Sequence, residues 1–124
     1  MDKNALVSEG TKLVQWLDKS KLKPRAAVWV HNSETETWKL WIVPALKIED
    51  TGEFYLELSK IISAHRDEFP SLDISSIELK KDSHPAVTGL KAMFRMDGLG
   101  SAHLSNNKLN GFFLPDGIVL RMAV

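Results

Sequence analysis

Cysteine is absent from this chain. That removes a disulfide framework, a thiolate zinc site, a thiol nucleophile and iron–sulfur ligation through cysteine in one step, and it suits a reducing compartment. Net charge is absent too: 16 basic and 16 acidic residues cancel. No global field therefore draws the protein towards nucleic acid or an anionic membrane, and little self-repulsion keeps copies apart. No stretch approaches the roughly 18 apolar residues that a membrane-spanning helix requires. Asp2, Lys3, Glu9 and Lys12 interrupt the N-terminal apolar residues, so the hydrophobic centre of a signal peptide is missing as well. The expectation is a soluble, cytoplasmic protein with no membrane partner.

Strong catalytic signatures are also lacking. The segment Gly98-Leu99-Gly100-Ser101 has no following Lys-Ser/Thr and leads into a predicted strand, whereas a phosphate loop leads into a helix. There is no Gly-x-Ser-x-Gly, no His-Glu-x-x-His and no kinase-type motif.

What is present has the balance of a folded globular chain. A length of 124 residues with 44% hydrophobic and 26% charged residues is enough to bury a core of its own and far from the composition of a disordered segment. Leu6, Leu13, Val14 and Leu17 recur at helical spacing behind Asp2 or Asn4 as a cap. Residues 26–31 and 37–43 alternate as strands, and the short polar stretch between them makes the pair an antiparallel hairpin. Asp50 and Glu53 resemble a capping arrangement ahead of a stripe of Phe54, Leu58, Ile61, Ile62, His65 and Phe69, which Pro70 closes. A short strand carries Ile77 and Leu79, and Pro85 opens a third helix bearing Val87, Leu90 and Phe94. Residues 101–105, 108–114 and 118–122 read as three strands of a meander, broken by turns at Asn106-Asn107 and Pro115-Asp116-Gly117.

The predicted architecture is a single α+β domain over residues 1–124. It is a two-layer sandwich in which a mainly antiparallel sheet, made of the N-terminal hairpin, the central strand and the C-terminal β-meander, is packed by two or three helices.

Both faces of the hairpin carry large apolar groups. With a loop at residues 34–36, Trp29 lies opposite Trp41, and His31 lies opposite Lys39 on the same face. One face packs against a helix; the other needs a further layer of the chain or a partner. Trp29, His31, Lys39 and Trp41 thus form the first candidate binding site. The leading expectation is a non-catalytic module for protein binding or assembly, joined to a protein partner or to a second copy as a homodimer. The competing explanation is that the chain's own helices cover the indoles.

Glu78-Leu79-Lys80 has the acid-x-lysine form that metal-dependent nucleases place at a strand end, with Asp82 and His84 close behind. An alternative role as a phosphodiester hydrolase follows, with Mg²⁺ or Mn²⁺ as its metal; no cofactor is expected otherwise. Against it, ordinary edge-strand alternation leaves Glu78 and Lys80 in water with no further meaning. Lys19, Lys21, Lys23 and Arg25 could grip a phosphate backbone, which gives nucleic-acid binding as a weaker alternative. Cations at a helix C-terminus, however, already complement its dipole. Of the four histidines, His65 belongs to an apolar stripe, His84 to a helix start, and His103 faces Asn110 if Asn106-Asn107 is the turn.

Overall fold

The computed structural model describes residues 2–45, 48, 50–109 and 111–124. Helix α1 (Lys3–Asp18) begins where the Asp2 carboxylate accepts the Ala5 N–H at 2.7 Å, satisfying one of the amides that a first helical turn leaves unpaired. Its buried positions include Leu6, Gly10, Leu13, Val14 and Leu17, one face of the helix. Strands β1 (Ala26–Asn32) and β2 (Thr37–Val43) form the antiparallel hairpin. Helix α2 (Thr51–Ala64) is capped by Asp50, whose carboxylate accepts from the N–H groups of Gly52 at 2.8 Å and Glu53 at 3.4 Å. Strand β3 (Ile77–Leu79), helix α3 (Pro85–Met93), strand β4 (Ala102–Leu109) and strand β5 (Phe112–Met122) follow.

The strands make one sheet in the order β3-β2-β1-β5-β4, antiparallel throughout except for the β2–β3 pair. With three helices packed on this mainly antiparallel sheet, the chain is the α+β protein its patterning announces. Leu6, Leu13, Leu17, Phe54, Leu58 and Ile62 of α1 and α2 meet Trp29, Leu40, Ile42, Ile118 and Leu120 on one face. Ala86, Val87 and Leu90 of α3 meet Val28, Trp41, Val43, Leu104 and Val119 on the other.

Three local readings need correction. The hairpin register is shifted by one residue: Trp29 pairs with Leu40, Val28 with Trp41, Val30 with Lys39 and His31 with Trp38. The cause is Asn32, whose side-chain oxygen accepts the N–H groups of Glu34 at 2.9 Å and Thr35 at 3.3 Å and so starts the turn one residue early; Glu36 closes it at φ 54°. Because side chains alternate along a strand, this shift puts Trp29 and Trp41 on opposite faces.

Helix α2 ends at Ala64, well before Pro70. His65 leaves the helical conformation at φ −124°, and its ring stacks on Trp16 of α1 with centroids 3.6 Å apart. The Trp16 indole N–H in turn donates to Glu68 at 3.1 Å, within the following 3₁₀ turn (Arg66–Glu68).

The C-terminal ribbon runs straight through both expected turns and reverses at Gly111, φ 86°. Asn106 does adopt a left-handed backbone, φ 53°, but inside β4, between the pairs Ser105–Asp116 and Asn107–Leu114. It stands across from Pro115, which has no amide to offer the ladder. The result is a twist in place of a turn: Leu104 and Leu109, an odd number of residues apart, both enter the core on the α3 side, as do Leu114 and Val119. His103 consequently pairs with Ile118; Asn110 lies outside the described residues.

Buried contacts near its first turns fasten α1. The Trp29 indole N–H donates to the Leu6 carbonyl at 2.8 Å, and a Cβ on Gly10 would lie 2.7 Å from both that nitrogen and Leu120 Cδ1. Glu9, 5% exposed, accepts the N–H groups of Ser71 and Leu72, each at 3.0 Å, and so pins the segment before β3. Gly10→Val is therefore expected to destabilise the fold by about 1–3 kcal/mol through overpacking. Urea unfolding followed by circular dichroism checks this; an unchanged midpoint would refute the close approach.

Candidate functional site

On the α3 side of the sheet, a groove of about 440 Å³ stays open towards the hairpin turn. Val30 of β1, Trp41 of β2 and Phe113 of β5 give it apolar walls, with Lys39 and Glu78 beside them and residues 31–34 at one end. The register explains the grouping, since Val30 pairs with Lys39 and Trp41 pairs with Glu78 across the parallel ladder.

Trp41 is 7% exposed and framed by polar groups. The His84 ring meets it edge-on with centroids 5.1 Å apart, and Lys80 Nζ sits 4.9 Å from its ring centroid. Lys80 also pairs with Glu78 at 3.1 Å. Lys39 donates to the Ser75 carbonyl at 2.8 Å, tying β2 to the turn ahead of β3. Phe113 is different: it is 57% exposed. Removing such a ring from water is worth about 1–2 kcal/mol, a driving force that the folded chain leaves unused.

The first candidate set is thus divided. Lys39 and Trp41 share the groove, and His31 borders it at the turn while its ring lies against Trp38, 5.0 Å away. Trp29 is 0% exposed beneath α1 and cannot touch a ligand or partner there. Sequence reasoning missed Phe113. The available signal was the strand alternation around it, but the twist at Asn106 and Pro115 resets that alternation, so counting from Leu114 and counting from Val119 put the ring on opposite faces.

The hydrolase set is split: Glu78, Lys80 and His84 stand around Trp41, and Asp82 turns to Arg25. Glu78 is paired with Lys80, and Asp82 with Arg25 at 3.4 Å. His84 spends Nδ1 accepting the Ala86 N–H at 3.1 Å, as the cap of α3. Among the described residues no three His, Asp or Glu side chains gather as a metal site would require. The basic set is dispersed as well. Lys19 lies over the Trp16 ring at 4.7 Å, Lys21 pairs with Glu53 at 2.7 Å, Lys23 occupies a left-handed position at φ 35°, and Arg25 turns to Pro44 and Asp82.

The cap at His84 makes a pH dependence readable. Burial pushes its pKa below the usual 6.5, and the charge on Lys80 lowers it further. The unfolded chain therefore takes up this proton before the folded one does. The contribution is complete above about pH 6.5 and is lost as the pH falls below that value through the folded pKa. Between about pH 7 and pH 5 the melting temperature of the wild type should fall more steeply than that of His84→Asn, which caps without titrating. Parallel curves would show that the ring does not serve as the cap.

Comparisons with protein-family models, with curated proteins and with solved structures find no match to this chain. Its functional reading rests on the groove and the residues around it.

Proposed function

We propose that the chain is a non-catalytic assembly module of the cytoplasm that joins a second copy of itself through the groove at the hairpin turn. The observation that carries this reading is Phe113, 57% exposed beside the Trp41 and Val30 walls of a groove large enough to receive an aromatic side chain. Charge supports it. The lining holds both signs, Lys39 with Glu34 and Glu78, so a two-fold contact would have cations and carboxylates to pair across it. Sixteen charges of each sign leave no net repulsion between copies. The absence of cysteine suits the reducing cytoplasm, and no described helix is long and apolar enough to cross a membrane.

Sedimentation equilibrium from about 5 μM to about 1 mM tests the reading. The average mass should rise from one chain towards two. Phe113→Asp should weaken association by roughly ten-fold or more, as loss of a central aromatic anchor does, while leaving the urea midpoint close to that of the wild type. Lys39→Glu should weaken it independently. A single-chain mass over the whole range would overturn the proposal, even if another protein were found to bind.

A further inference from the structure

A second concavity lies where the two parallel strands end. Strand β2 leads into α2, which joins the face occupied by α1; strand β3 leads into α3, which crosses to the opposite face. When neighbouring parallel strands send their next segments to opposite faces, a crevice opens beyond their carboxyl ends, and open α/β sheets bind ligands there. Here it measures about 350 Å³, near the lower end of small-molecule sites.

Its lining has a polarity. Val43, Pro44 and Leu79 supply apolar wall, while Arg25, Lys81 and Asp82 stand with them. Arg25 Nε donates to the Pro44 carbonyl at 3.0 Å, which fixes the plane of the guanidinium. Its two terminal nitrogens then share one oxygen of the exposed Asp82 carboxylate, at 3.4 and 3.5 Å. Those distances are long, and a guanidinium fork is best matched by two oxygens of one anion. Asp82 therefore holds the place loosely. Lys80 contributes by its main chain, whose N–H donates to Ile42 at 2.9 Å while its side chain reaches away to Trp41.

We infer that this crevice binds a small organic oxyanion, with the anionic group on Arg25 and Lys81 in place of Asp82 and a compact apolar body against Val43, Pro44 and Leu79. The site is separate from the groove at the hairpin turn, so the Phe113→Asp variant should bind the anion as the wild type does.

Titration of the full chain with phenyl phosphate and with benzoate, read from amide chemical shifts of Val43, Ala45, Leu79 and Asp82, tests the inference. Saturable shifts are expected with at least one anion and none with benzyl alcohol; the tighter of the two names the head group. Lys81→Glu should weaken binding roughly ten-fold. Asp82→Asn, which removes the internal competitor, should tighten it. This opposite response distinguishes a ligand site from a merely structural ion pair. Absence of saturation with both anions, equal binding of benzyl alcohol, or affinity indifferent to Lys81→Glu and Asp82→Asn would overturn the inference.

Discussion

The indole of Trp29 sits in β1, the middle strand of the sheet, and gives its N–H to the carbonyl of Leu6. A buried indole nitrogen without an acceptor would cost about 1–3 kcal/mol, so the ring demands a carbonyl at one place on the sheet. A carbonyl inside a helix can accept such a bond only if the helix comes very near. Gly10, one turn after Leu6, permits that approach because no Cβ stands between the backbone and the ring. This bond and this gap together set the height and rotation of α1. Glu9 is thereby delivered to the Ser71 and Leu72 amides, and Trp16 to His65 and Glu68. Leu13 and Leu17 join the core that α2 completes.

With Trp29 committed inward, the other side of the hairpin acquires a different character. Trp41 forms part of a core that α3 covers, and it also borders the open groove. The two indoles therefore serve separate ends: one anchors a helix, and the other gives an apolar floor to a recess whose rim is charged. The division follows from the Asn32 side chain, which accepts two amides of the turn, since a one-residue change in register exchanges the two faces of a strand.

Helix positions were legible in the sequence because their signals are local. Asp2 and Asp50 cap where their short side chains can reach the first amides, and Pro85 marks the start of α3. The hairpin followed from period-two patterning and the short polar stretch between its strands. Register was not legible, because it depended on whether the Asn32 side chain or the backbone opened the turn. The C-terminal ribbon shows the same limit in another form. Asparagine's tolerance of a left-handed backbone was a correct reading of Asn106, but such a residue can twist a strand as well as end it, and here pairing continues on both sides of it. Among the candidate residues, Lys39, Trp41, Glu78 and Arg25 were singled out for their types; which of them share a recess depended on strand order and on the parallel pairing of β2 with β3, neither of which is a local property.

Strand β3 has three residues at the border of the sheet, Leu40, Trp41 and Ile42 being their partners. Its Leu79 amide turns to the Tyr55 hydroxyl of α2 at 3.1 Å. So short a seam, stitched partly by a side chain, is where hydrogen exchange by local opening should begin. Whatever bridges Arg25, ahead of β1, to Lys81, just past β3, spans that seam from outside. A ligand held there would slow fraying along the border where Glu78 pairs with Trp41.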